Sequence, residues 1–184
     1  MELNKYIRLT VFFVFGIVMT SCVEVNGSGY DSLTEQEKEH VKPCRTDIEN
    51  ITPDGNLYKI KVEQVSNFIR KKRNVLVYEY LPFCNGESGR CPIEVKQVCK
   101  KLHLECIVIS SVYDGIFPLS KYNFPIFVID NEPFKTNNYQ VYSNEFYKTL
   151  TNCNDKSRRS ASFHYFKYGQ YVRSYTSVLD INNI

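Results

Sequence analysis

With 184 residues, 43% of them hydrophobic and 14% aromatic, the chain can bury one sizeable core but hardly two. Its 23 Lys and Arg against 20 Asp and Glu leave a formal charge of +3. No block of like charges of the kind that binds nucleic acid occurs, and Lys71-Lys72-Arg73, running straight into the apolar Val75-Leu76-Val77, reads as a solvated helix end.

The first elements in the chain are those of an export signal. Lys5 and Arg8 precede the apolar stretch Leu9 to Met19, and Thr20-Ser21 precede Cys22. The apolar stretch is too short for a membrane-spanning helix. Met19-Thr20-Ser21-Cys22 resembles the lipobox of bacterial lipoproteins, with Met where Leu is usual and Ser where Gly or Ala is. The resemblance implies that Cys22 becomes the lipid-modified first residue of an exported protein held to the membrane of the cell envelope. The alternative is an ordinary cleaved signal that leaves an unmodified Cys22. Residues 1–21 are thus expected to be the signal peptide and 22–40, polar and acidic, a flexible tether. A folded domain is expected over 41–155 and a C-terminal extension over 156–184. Asp31-Ser32-Leu33 in the tether resembles the short O-glycosylation signal of Bacteroidetes exported proteins.

Within the domain, Leu57, Tyr58, Ile60 and Val62 give a strand-like mixture, and Val65, Phe68 and Ile69 take the spacing of a short helix. "NVLVYEYLPF" has the β-branched and aromatic content of a buried central strand. From Cys91 to His103, Val95, Val98, Cys99 and Leu102 form a helical stripe, with Pro92 in the first turn. "ECIVISSVY" predicts a strand, Gly115 and Pro118 a connection, and "FPIFVID" a further strand. "NEPF" is expected to turn the chain into an antiparallel strand, "KTNNYQVYS", followed by a closing helix, "NEFYKTLTN", with Ser143 as cap signal. Finally Phe163, Tyr165, Tyr168, Tyr171 and Tyr175 surround Gly169 and predict a β-hairpin packed onto the domain.

Beyond Cys22, the even set Cys44, Cys84, Cys91, Cys99, Cys106 and Cys153 suits an oxidising compartment and allows fifteen ways of forming three bridges. Cys44 and Cys153 flank the core segment and are candidates to staple its ends. Cys99 and Cys106 suit either structural use or buried free thiols. No cysteine or histidine spacing resembles a zinc site, and His40, His103 and His164 stand far apart, so no metal is expected. The glycines of "NGESGR" lack the Lys-Ser/Thr of a phosphate loop, and no cofactor is expected.

Asn56 to Asn152 resembles the thioredoxin fold. The carriers are the strand "VLVYEY" running into Cys84, a helix opening at that loop, and "FPIFVID", similar to the family's strand headed by a cis-proline. The resemblance implies an α/β thioredoxin-like three-layer sandwich, a mixed sheet flanked by helices, with an added C-terminal hairpin. It also implies that Pro125 is the cis-proline facing the cysteine loop. The chain departs from the family's redox enzymes in having no tryptophan and in separating Cys84 from Cys91 by six residues instead of two. Only Cys91 then stands at the helix start, where the macrodipole and free N–H groups favour a thiolate, with Arg90 beside it.

Two functions fit. One is a tethered module in which Cys84 and Cys91 are bridged and the loop presents a surface to a protein or peptide partner. The other is a thiol-disulfide oxidoreductase with Cys91 attacking, Cys84 resolving and Pro125 shaping the groove. Glu79 is either a buried proton carrier or an outward-facing or paired carboxylate. The residues before Cys84 lack the Pro-x-x-x-Thr-x-x-Cys pattern of peroxiredoxins.

Overall fold

A computed structural model describes residues 27–183; the expected export signal and the expected anchor residue Cys22 lie outside them. Seven strands form one sheet: β1 (Val41–Pro43), β2 (Leu57–Ile60), β3 (Asn74–Tyr80), β4 (Glu105–Ser110), β5 (Ile126–Ile129), β6 (Phe163–Lys167) and β7 (Gln170–Tyr175). Their order across the sheet is β1-β2-β5-β4-β3-β6-β7. The first five in that order are parallel, and β6 and β7 are antiparallel.

Strand alternation sorts β3 between two cores. Leu76, Tyr78 and Tyr80 face one side, with Val95 and Cys99 of α3 (Pro92–Lys101). Val75 and Val77 face the other, with Val65, Phe68 and Ile69 of α2 (Val62–Lys71) and with Tyr142, Phe146, Tyr147 and Leu150 of α4 (Tyr139–Thr151). The chain is therefore a mixed sheet flanked by helices on both faces. Two short helices, α1 (Glu35–Glu39) and α5 (Lys156–Arg159), complete the described set.

Three expectations are corrected. "KTNNYQVYS" is not a strand: the Asn138 side chain accepts from the Gln140 and Val141 N–H groups and starts α4 there. Tyr142, Phe146 and Leu150 then recur every fourth residue, a helical stripe that outweighs their β-favouring aromatic content. Ser143 lies inside that helix, buried, and caps nothing.

The C-terminal hairpin forms, through a turn in which Tyr168 and Gly169 both have positive φ (51° and 81°). It is not an appendage, because β6 pairs with β3 from Asn74 to Tyr78 and so completes the sheet.

The region expected to be a tether is ordered from Ser28 onward. The Tyr113 N–H donates to the Ser28 carbonyl at 2.8 Å, Tyr30 meets the Tyr113 ring edge-on, and Leu33 is buried in the α3-side core. A capping box between Thr34 and Glu37 starts α1. Polar composition had masked two apolar anchors, enough to dock a short segment on a preformed surface.

Candidate functional site

Strand β3 ends at Tyr80, and the loop that follows folds back on itself. Leu81 donates its N–H to the Ser88 carbonyl at 2.7 Å and accepts from the Cys84 N–H at 3.0 Å. The Tyr78 hydroxyl lies 2.7–3.1 Å from the carbonyls of Glu87, Ser88 and Arg90, so one buried phenol on the strand gathers the far limb of the loop. Burial holds that phenol well above the ordinary tyrosine range. Glu87 pairs with Arg90 at 3.0 Å and accepts from the Val178 N–H at 3.1 Å, tying the loop to the C-terminal segment.

Cys91 occupies the N-cap of α3 with Pro92 next to it, as the sequence predicts, and its side chain is exposed. Cys84 is half-buried, its sulfur 3.5 Å from the Gly86 N–H. The two are free thiols here, and no bridge joins them, contrary to the fixed disulfide of the first functional reading. Arg90 is engaged by Glu87 and by Glu94 at 3.7 Å, so its charge is shared with carboxylates rather than reserved for Cys91.

Pro125 immediately precedes β5, but two features set it apart from the role expected of it. The cis peptide bond among the described residues is Phe117–Pro118. Pro125 also stands at the start of β5, two strands from β3, whereas the cysteine loop follows the end of a parallel strand. The segment that does reach the loop is the β4–β5 connection. A side chain at Gly115 would meet Pro82 at 3.1 Å, and Tyr122 packs in the same core cluster as Tyr80 at the end of β3.

Glu79 points to the face opposite Tyr78 and Tyr80 and hence away from α3. Its Oε1 accepts from Ser111 at 2.9 Å and from Ser143, so it is the paired carboxylate of the two alternatives. Burial pushes its carboxyl up.

Around Glu79 lies a set of buried polar groups that the sequence did not reveal. Arg158 is 3% exposed and donates through Nη2 to Asn144, while its Nε has no partner. The Tyr147 hydroxyl and His164 Nε2 are likewise unpartnered. His164 Nδ1 sits 2.7 Å from Ser174 Oγ, and burial pushes its pKa down to about 3.

A pocket of about 200 Å³ opens here, lined among others by Glu79, Ser88, Ser143, Asn144, Arg158 and Ser162. Ser88 belongs to the cysteine loop and is 2.6 Å from Ser162, so loop and pocket share a wall. Phe83, 47% exposed, rests edge-on against Tyr139 of the same wall. A buried arginine is expensive unless an anion or hydrogen-bond acceptors satisfy it. No local pattern marks Arg158, whose neighbourhood reads as a polar loop; only β6 lying beside β3 brings it to Glu79.

Among the described residues no cluster of His, Cys, Asp or Glu is placed to hold a metal ion, and no helix is long and apolar enough to cross a membrane. No family model, no curated protein and no solved structure matches the chain.

Proposed function

We propose that the chain is an exported, lipid-anchored thioredoxin-like module that binds a protein or peptide partner at the Cys84–Cys91 loop through an apolar residue and a carboxylate. The observation that carries it is Arg158, buried with an unpartnered Nε in a pocket that shares Ser88 with the loop. Exposed Phe83 supplies the apolar contact beside it, and a charge-assisted bond to guanidinium supplies direction. Burial raises the Glu79 carboxyl above its ordinary range, which weakens its opposition to an incoming carboxylate, and both serines bond its Oε1. The thioredoxin-like part of the reading is supported by the strand–turn–helix unit with Cys91 at the N-cap, and by parallel strands followed by an antiparallel hairpin in one sheet.

Fluorescence anisotropy with labelled peptides tests it. A peptide pairing Leu or Phe with Glu is expected to bind at least about tenfold more tightly than its Gln counterpart. Arg158→Gln should erase that preference, and Phe83→Ser should weaken both peptides. Equal binding of the two peptides to the native protein overturns the reading.

A second reading rests on Cys91 being exposed, unbridged and at a helix N-terminus: a thiol-disulfide oxidoreductase with Cys91 attacking and Cys84 resolving. Equilibration in glutathione buffers separates the two. A Cys84–Cys91 potential in the range of exchange enzymes, with disulfide-reducing activity lost in Cys91→Ser, supports the enzyme; no such activity, with peptide binding kept in Cys84→Ser/Cys91→Ser, supports the binding module.

A further inference from the structure

A second pair of cysteines meets on the far side of α3. Cys99 lies on the buried stripe of that helix, 1% exposed, and Cys106 is the second residue of β4. The connection between them is tight. His103 takes a positive φ of 55°, and the Leu104 N–H donates to the Cys99 carbonyl at 2.9 Å, which turns β4 back beneath the last turn of the helix. The two side chains are thereby brought together in the same packed cluster, Cys106 lying against the core that contains Cys99.

This contact is not sealed in the core. Both cysteines line an open groove of about 720 Å³ whose other walls include Lys96, Lys100, His103 and Phe124. Lys96 is held in place twice, donating to the Cys106 carbonyl at 3.0 Å and lying over the Phe124 ring at 4.7 Å. A fixed ammonium thus stands beside Cys106, opposed by the Glu105 carboxylate. The pair is asymmetric. Cys106 is half-buried whereas Cys99 is 1% exposed, so a molecule entering the groove meets Cys106 first, and the neighbouring Lys96 ammonium favours a thiolate there.

We propose that Cys106 and Cys99 are a dithiol exchange site, in which small disulfides entering the groove react first with Cys106 and the resulting adduct is resolved by Cys99. The Cys106 thiolate attacks one sulfur of RSSR, the R–S–S–R bond breaks, and the departing thiolate takes a proton from water. Cys99 gives its proton to solvent and attacks the Cys106 sulfur of the mixed disulfide, expelling the second RS⁻. Two protein thiols become one disulfide while RSSR becomes two RSH. Because both cysteines line one groove, the second step is intramolecular. This site is independent of the Cys84–Cys91 loop, so either can fail without the other.

The test is mass spectrometry and peptide mapping of the full exported protein after exposure to oxidised glutathione. The expected result is a Cys99–Cys106 linkage with the loss of two hydrogens, in the native protein and equally in Cys84→Ser/Cys91→Ser. Cys99→Ser should stop at a glutathione adduct on Cys106, and Lys96→Met should slow its formation several-fold. Recovery of Cys106 as an unmodified thiol from the native protein, or its linkage to any cysteine other than Cys99, overturns the proposal. So does a Cys99→Ser protein that carries no adduct at Cys106 while its unfolding midpoint matches the native one.

Discussion

Adding one carbon at Gly89 would set a Cβ 1.7 Å from the Cys84 carbonyl oxygen, a distance no side chain tolerates, whereas at Gly86 the nearest atom is the Cys84 sulfur at 3.7 Å. The two glycines of the loop therefore do different things: Gly89 allows the two limbs to touch, and Gly86 leaves room. Gly89→Ala should cost about 2 kcal/mol in urea unfolding, against about 0.5 kcal/mol or less for Gly86→Ala. Equal losses would show that the limbs separate freely. Two buried titratable groups set opposite pH dependences. His164, held down to about 3 from its ordinary 6.5, keeps its full contribution above 6.5 and loses it as pH falls toward 3, because the unfolded chain takes up the proton first. Glu79, raised above its ordinary 4.5, contributes below 4.5 and loses that contribution as pH rises through its elevated value. The two act against each other from pH 4.5 upward, as far as the elevated Glu79 value and the ordinary histidine value both reach. In unfolding titrations across pH, Glu79→Gln should flatten the decline on the alkaline side, and His164→Gln the decline on the acid side, each by at most about 1.4 kcal/mol per pH unit. Unchanged slopes in both variants would falsify the assignment of these groups.

At the scale of elements, the β6–β7 hairpin decides whether the domain stands. β6 covers β3 along Asn74–Tyr78, and Phe163 stacks on Tyr78 at 4.8 Å. A chain ending at residue 155 would leave β3 an edge strand, with unpaired backbone groups and its aromatic partner gone. Such a truncated protein is expected to show no cooperative thermal transition by circular dichroism; a native-like transition would mean that the hairpin is an accessory after all. The hairpin itself was legible from the aromatic alternation around Gly169, and its place in the sheet was not, since pairing with β3 is a contact across about ninety residues of sequence. Strands β2 to β5 and helices α2 and α3 were legible for the same reason as the hairpin: their periodicity is local and strong. "KTNNYQVYS" misled because aromatic content and helical spacing disagreed there, and the Asn138 cap resolved the disagreement. The candidate site divides likewise. Cys91 at the N-cap follows from the Cys-Pro pair alone, while Arg158, Asn144 and Ser162 converge only once the sheet is assembled.

For the molecule as a whole, the docked N-terminal segment changes how the domain would sit on a membrane. Only five residues separate the proposed anchor Cys22 from Ser28, where the chain is already bonded to Tyr113. Even fully extended, that length spans only about 20 Å. If Cys22 carries the proposed lipid, the domain would be held close to the bilayer by its Tyr113–Asp114 edge, where Ser32 also donates to Asp114 at 2.6 Å, instead of ranging on the 18-residue leash Val23 to His40. Leu33, buried in the core cluster, is the residue that keeps the segment down. A glutamyl endopeptidase reads this directly. In the native protein Glu35, Glu37 and Glu39 should be cut slowly, protected by docking and by the capped helix. Leu33→Asp should expose all three to rapid cleavage while residues 41–183 stay folded. A native protein cut at these sites as fast as Leu33→Asp would restore the long tether. The companion measurement is the mass of the mature chain: a lipid on Cys22 is expected, with Cys22→Ser released from the membrane fraction, and an unmodified Cys22 thiol would remove the anchor and with it the short leash.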